Sequence, residues 1–323
     1  RGGGRETERE EGRKSHRMRR RPVGLREGRR SVHLLFGTAN IPHPAKLGKG
    51  GEDAFFADPA TSTFGVADGV GGSARDGVDP GVFSRKMLSH CRQWLAANAH
   101  EQSSMAHLTK AMTAAGNALE SAPVGGSSTL LLGALDSSTA RLALVNIGDS
   151  AALLLRPAPR RFAKAGTVLW PRLVARTQEQ THYFNCPFQV GSSDMLEVVK
   201  GSADELQVQV RSGDIIVAAT DGVTDNLFDQ QLQGLIAAEV RGLLGTPDES
   251  ARAVQSVANN LALRAVAVGK CEDDPETTTP FSVSARMEGY DAPGGKLDDV
   301  AVVVAVVREG ERATTAAMAS NFR

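Results

Sequence analysis

The sequence predicts an α+β fold, antiparallel sheets with helices packed on their outside. Three observations lead there. Apolar runs of strand length follow one another in hairpin-like order, two consecutive pairs of amphipathic helices are inserted between them, and the strand-helix alternation that builds a parallel sheet is missing. At 323 residues and 41% hydrophobic content the chain can fill a sizeable core.

Taken in order, the segment Arg1 to Arg30 is rich in Arg, Glu and Gly and buries too little apolar surface to offset its ordering entropy, so 1–30 is expected to be a disordered charged segment. Its arginines suit an organellar transit peptide and its glutamates argue against one. A single domain is expected over 31–308, followed by a flexible tail over 309–323. Strands are expected at Ser31 to Phe36, from Glu52 to Phe56, and at Thr63 to Ala67, which delivers Asp68. Asp79-Pro80 is a helix start, with Asp as N-cap and Pro at the first helical position. Phe83, Met87, Cys91, Trp94 and Leu95 then share one helix face, and Met105, Leu108, Met112, Ala115 and Leu119 repeat the pattern.

Ser128 to Leu135 and Arg141 to Ile147 read as a hairpin around the turn Asp136 to Thr139. Gly148-Asp149-Ser150 follows, then a strand from Ala151 to Leu155. Arg156 to Gln180, rich in Pro and Arg, reads as a surface excursion. The polar and aromatic cluster Thr181 to Gln189 lacks periodicity and suits a loop packed over a site or a satellite core. Asp214 to Thr220 is an apolar strand delivering Asp221. Two more helices carry the stripes Leu232, Leu235, Ile236, Val240, Leu243, Leu244 and Ala251, Val254, Val257, Ala258, Leu261, the second starting at Thr246-Pro247. Lys270 to Gly295 reads as a long irregular segment. Val300 to Val307 is the last strand, and this longest apolar run is far too short to span a bilayer.

Composition narrows the function classes. Lys plus Arg and Asp plus Glu balance at 37 each, so no global basic field points to nucleic acid. Cys91, Cys186 and Cys271 form no CxxC pair, which argues against a disulfide framework and a thiolate zinc site. Five acidic stations fall at predicted strand ends: Glu52/Asp53, Asp68, Asp149, Asp221 with Asp225, and Asp298/Asp299. Carboxylates brought together repel unless cations neutralise them, and an oxygen-only donor set selects hard ions such as Mg²⁺ or Mn²⁺. Two such ions roughly 3.5 to 4 Å apart activate a bridging water for in-line displacement at phosphorus. Any one Asp-Gly alone is more often a turn.

The motifs Gly51-Glu52-Asp53-Ala54, Val66 to Gly72, Gly126-Ser127-Ser128-Thr129, Asn146 to Ser150, Ala219 to Asn226 and Lys296 to Val300 resemble, in order, those of the PPM family of metal-dependent protein serine/threonine phosphatases, or protein phosphatase 2C. The resemblance implies a sandwich of two antiparallel sheets flanked by helices on both sides, four layers in all. It further implies hydrolysis of phosphoserine and phosphothreonine in phosphoprotein substrates by a monomer with two Mg²⁺ or Mn²⁺ ions and a possible third. By motif, Asp68, Asp221 and Asp298 resemble the catalytic carboxylate ligands, with the carbonyl of Gly69 and Asp53 beside them; Asp149 and Asp225 resemble ligands of a weaker third ion. Gly77 to Pro80, His182 to Asn185, Thr279 to Phe281 and Gly294 to Lys296 look like the branch that works in mitochondria or chloroplasts; cytoplasm is the alternative.

Two positions depart from the pattern. Val70 stands where many relatives carry a His that protonates the leaving alcohol, so the resemblance leaves that step to a metal-bound water or to another residue, with His182 the candidate. In place of a phosphate-binding Arg before the Glu-Asp pair the chain offers only Lys46 and Lys49, of which Lys49 could act as a point charge. The rival reading is a catalytically inactive relative serving as a regulatory or binding module. A hydrolase of small phosphates is a third.

Overall fold

The computed structural model describes residues 31–310 apart from 73–77, 122–123, 164–165, 192–197 and 199–200. The expected disordered segment 1–30 and the tail beyond 310 lie outside the described residues. The N-terminal half contains β1 (Val32–Ile41), β2 (Asp53–Asp58), β3 (Thr63–Asp68), helices α1 (Pro80–Ala97) and α2 (Met105–Ser121), then β4 (Ser127–Ser128), β5 (Leu130–Asp136) and β6 (Arg141–Ile147). Next come β7 (Ala151–Phe162), β8 (Gly166–Arg176), β9 (Thr181–Tyr183), β10 (Cys186–Pro187), β11 (Val190–Gly191), β12 (Asp204–Gln209) and β13 (Ile215–Ala219). Helices α3 (Asp221–Thr224), α4 (Asp229–Leu243), α5 (Pro247–Gly269) and α6 (Pro280–Met287) precede β14 (Val300–Glu309).

Two five-stranded antiparallel sheets, ordered β1-β14-β13-β7-β8 and β12-β6-β5-β3-β2, face each other. Strand β14 shows how the layers form. Its Val300, Val302, Val304 and Val306 pack outward against Ile236 of α4 and Val254, Val257 and Leu261 of α5. The alternate residues Val303, Ala305 and Val307 point inward, to Phe64, Val66, Leu131 and Leu144 of the other sheet. That second sheet turns Phe56, Leu132 and Val145 toward Phe83, Met87 and Cys91 of α1 and Leu108 and Met112 of α2. Both faces of each sheet are therefore covered, which is why the central strands read as continuous apolar runs. The result is the expected α-β-β-α arrangement.

Local chemistry sets the helix starts as predicted. Asp79 accepts from the Gly81 N–H at 3.0 Å ahead of Pro80, and Thr246 with Glu249 forms a reciprocal capping box at α5. Cys91 is fully buried on the α1 stripe, and burial pushes its thiol up to about 12, so it behaves as a small hydrophobe.

Two expectations are corrected. The excursion over Arg156–Gln180 is mostly a long hairpin, β7 and β8, carried past the end of β13. Its Pro157 and Pro159 lie two residues apart, so both missing N–H groups fall on the same side of β7, the side left uncovered once β13 stops opposite Leu155. Arg160 covers the paired rings of Phe162 and Trp170 from 4.7 and 5.0 Å, giving the projecting end a small core. The irregular segment Lys270–Gly295 contains α6, whose cap Thr279 accepts from the Ser282 N–H and precedes Pro280. Strand β12 was not anticipated at all.

The hairpin turn between β5 and β6 is held by one side chain. The buried Asp136 carboxylate accepts from Ser138 N–H at 2.8 Å, Ser138 Oγ at 2.7 Å, Thr139 N–H at 3.2 Å and Gln102 Nε2 at 2.6 Å. Burial alone would raise its pKa, but these donors hold it below the usual carboxylate range. Asp136→Ala strands several donors and is expected to cost about 2 kcal/mol, read as a lower urea midpoint at unchanged slope.

Candidate metal centre

The strand-end carboxylates converge. Asp53 opens β2 and sits directly across the ladder from Asp68, the last residue of β3. Asp221 starts α3 just past β13, Asp298 lies just before β14, and Asp149 occupies the bend between β6 and β7. Asp68, Asp149, Asp221 and Asp298 line a cavity of about 530 Å³ together with Lys46, Glu52, Gly69 to Gly72, Lys296, and Tyr183, Asn185, Cys186 and Pro187 of the β9–β10 hairpin. The aromatic cluster thus forms one wall of the cavity. A cleft of about 710 Å³ adjoins at Asp225, lined by Arg176, Leu227, Phe228 and Asp229, and contains none of the other strand-end carboxylates.

Backbone clamps fix these positions. Asp68 N–H donates to Thr129 Oγ1 at 2.9 Å, and its carbonyl accepts from Thr129 N–H and Ser128 Oγ. Gly69 N–H donates to the Glu52 carbonyl, tying the first Asp-Gly to the Glu-Asp pair. A Cβ on Gly69 would lie 2.5 Å from the Pro80 carbonyl oxygen, and one on Gly222 would lie 2.0 Å from that of Asp299. Only glycine lets α1 and the start of β14 approach so closely.

The electrostatics are those of an anionic pocket out of water. Burial first, then Asp53, Asp221, Asp298 and Asp149, pushes Asp68 well above the ordinary carboxylate range. Asp53 is 2% exposed; burial and its acidic neighbours raise it despite a 2.7 Å hydrogen bond from the Thr220 hydroxyl. Burial and Asp221 push Asp149 up to about 8, and Asp225 rises to about 7 mainly through burial. The buried oxygens Asp53 Oδ1, Asp149 Oδ1 and Asp221 Oδ1 have no hydrogen-bond partner. Unsatisfied buried oxygens of this kind call for a cation, and the all-oxygen donor set fits a hard divalent ion.

Two lysines already stand among them. Lys46 Nζ lies 2.6 Å from Glu52, 2.9 Å from Asp299 and 3.3 Å from Asp298. Lys296 Nζ lies 2.5 Å from Asp221, 2.7 Å from Asp225 and 3.7 Å from Asp298. Burial works against both ammoniums, yet the surrounding carboxylates hold their pKa values above the usual lysine range. Among the described residues no three acidic, histidine or cysteine side chains are gathered as a preformed ion-binding group.

No protein-family model matches the chain. The probable protein phosphatase 2C 26 of Arabidopsis thaliana is 31% identical over 298 residues, 88% of this chain and 88% of its own length. The probable protein phosphatase 2C 1 of Oryza sativa subsp. japonica is 32% identical over 296 residues, covering 88% and 78%. The chain belongs to the protein phosphatase 2C family. Its class is that of the phosphoprotein phosphatases, hydrolases of phosphoric monoesters. It spans 59% of the length of a third relative, the probable protein phosphatase 2C 80 of Arabidopsis thaliana, at 32% identity over 278 residues. Among solved structures, the photosystem II phosphatase PBCP matches this protein phosphatase 2C fold with a TM-score of 0.65 and 29% identity, over 87% of this chain and 100% of that one. The catalytic domain of the serine threonine protein phosphatase PstP, in complex with two manganese ions, shares the fold at a TM-score of 0.54 and 18% identity over 86% of this chain and all of that one.

Within this phosphatase 2C domain, Asp68, Asp149, Asp221 and Asp298 line the cavity, Asp53 pairs with Asp68 across the β2–β3 ladder and Asp225 lines the adjoining cleft, while Asp299 turns away. Its carboxylate accepts from His43 N–H, Glu52 N–H and Lys46, pinning the loop before β2. Lys46 therefore enters the cavity, and Lys49 is exposed at the end of the 3₁₀ turn Pro44–Lys49. His182 stacks on Phe188, ring centroids 4.3 Å apart, and is not among the residues that line the cavity. Sequence reasoning missed Thr220 and the part played by Lys296. A Gly-Gly-Lys run two residues before Asp298 was the available signal for the lysine.

The raised carboxylates set a pH dependence. Folded, cation-free protein keeps protons on Asp149 and Asp225 that the unfolded chain releases near its ordinary carboxylate range, around pH 4. Stability therefore falls as pH rises toward about 8. In chelator the melting temperature is expected to drop between about pH 5 and 8, and Asp149→Asn to flatten that slope; a rise with pH would contradict the assignment.

Proposed function

We propose that the chain is a Mg²⁺- or Mn²⁺-dependent protein serine/threonine phosphatase. The observation that carries the reading is the set of buried and half-buried carboxylates Asp68, Asp149, Asp221 and Asp298 around one cavity, with Asp53 paired to Asp68 beside it and unpartnered oxygens on Asp53, Asp149 and Asp221. Asp53, Asp68, Asp221, Asp298 and the carbonyl of Gly69 would hold two divalent ions. Ions bound there supply charge to polarise a phosphoryl group and make water nucleophilic near neutral pH.

The chain's own groups account for the rest. Lys46, on the cavity wall beside Glu52, is the cation available to a substrate phosphate. Tyr183, Asn185 and Pro187 shape the wall that a substrate polypeptide would meet. No histidine lines the described cavity, and its two lysines are held too basic to be good acids. The leaving serine or threonine alkoxide would then take its proton from water or from another cavity side chain. A catalytically inactive relative would be expected to have lost ligand carboxylates, and each matching position here is acidic. An organellar location is supported by the likeness to the photosystem II phosphatase.

Hydrolysis of a phosphothreonine peptide with Mn²⁺ is expected to cease with chelator and to fall at least roughly 100-fold in Asp221→Asn, since loss of groups merely supporting a metal ligand costs 10- to 100-fold. Undiminished turnover in chelator would remove the metal reading. Lys46→Ala is expected to raise the peptide KM about tenfold with a smaller change in kcat, the pattern of a lost ground-state contact.

A further inference from the structure

Lys296 is more elaborately seated than a surface ion-pair lysine needs to be. The buried Asn226 side chain accepts from the Lys296 N–H at 3.0 Å and donates to its carbonyl at 2.8 Å. Just before it, the Gly294 carbonyl accepts from Thr279 Oγ1 at 2.6 Å, and a Cβ on Gly295 would lie 2.1 Å from the Val268 carbonyl oxygen. The backbone is thus wedged between the end of α5 and the cap of α6. From there the side chain runs past the Phe281 ring, 5.6 Å from Nζ, to Asp221, Asp225 and Asp298. Its side chain is 18% exposed.

We infer that Lys296 is a tethered cation occupying the place between Asp221 and Asp225 that a third metal ion would otherwise take, so that this chain binds two divalent ions and not three. The inference rests on the two-ion reading above. An ammonium 2.5 and 2.7 Å from two carboxylates fills the space an ion would need and offsets the negative charge that would attract one. Asp221 Oδ1 remains without a partner, leaving this residue one oxygen for an ion on its other side. Asp225, matched by motif to a third ion, would then act as the lysine's anionic partner.

Counting bound ions tests this without any activity measurement. Chelator-treated protein is titrated with Mn²⁺, free ion being read from its paramagnetic resonance signal, for wild type, Lys296→Met, Lys296→Gln and Lys296→Arg. Two ions on wild type and Lys296→Arg, with a third on the Met and Gln variants, is the expected result. Those two variants should also melt lower than wild type in chelator and recover with excess Mn²⁺, as unneutralised carboxylates require. Three ions on wild type overturns the inference, needs no variant, and leaves the proposed function standing. An unchanged count of two in the Met and Gln variants also overturns it, by making the lysine a structural contact only. No Mn²⁺ on any of the four proteins overturns the metal reading and this inference with it.

Discussion

The structure depends on holding like charges together out of water. Asp53, Asp68, Asp149, Asp221 and Asp298 arrive on separate strand ends, and burial and acidic neighbours push Asp53, Asp68, Asp149 and Asp298 toward their neutral forms. Taking a carboxylate out of water is costly unless it is paired. Two internal ammoniums supply part of the pairing, Lys46 on the side of β2 and Lys296 on the side of α3. The remaining unpartnered oxygens mark where further positive charge belongs.

The sandwich offsets that cost by burying both faces of both sheets. Its central strands are nearly all Val, Leu, Ile and Ala, so the scaffold is rigid where the acidic residues leave it. Threonines do the local joining. Thr129 grips both backbone polar groups of Asp68, and Thr220 donates to Asp53 while accepting from the Ala301 N–H. The site is thus continuous with the hydrogen bonding of the sheets, unlike a site borne on free loops.

Legibility in the sequence followed the strength of local physics. Val300–Val307, the Asp79-Pro80 start and the Asp136 turn carry their own signals, and each appears where those signals put it. Strand β12 was invisible because DELQVQ on a sheet edge offers only Leu206 and Val208 to the core. The β7–β8 hairpin was hidden by prolines that an unpaired edge tolerates. Thr279-Pro280 announced α6 as clearly as Asp79-Pro80 announced α1, but at eight residues the helix is too short for a stripe to stand out. Convergence of the acidic stations was legible only as a set. Which lysine joins them was not, because that depends on Asn226 and Asp299 folding two distant loops inward.

The place of β14 in the sheet order has a consequence in time. It is the last of the described strands yet lies between β1 and β13, and Val32 pairs with Glu309. During synthesis the first strand must wait for almost the whole domain before it finds its partner. The sheet carrying β1 cannot close early, and contacts so distant in sequence make folding slow. Asp298 arrives on that same final segment. The acidic cavity therefore lacks one of its carboxylates until that segment is in place.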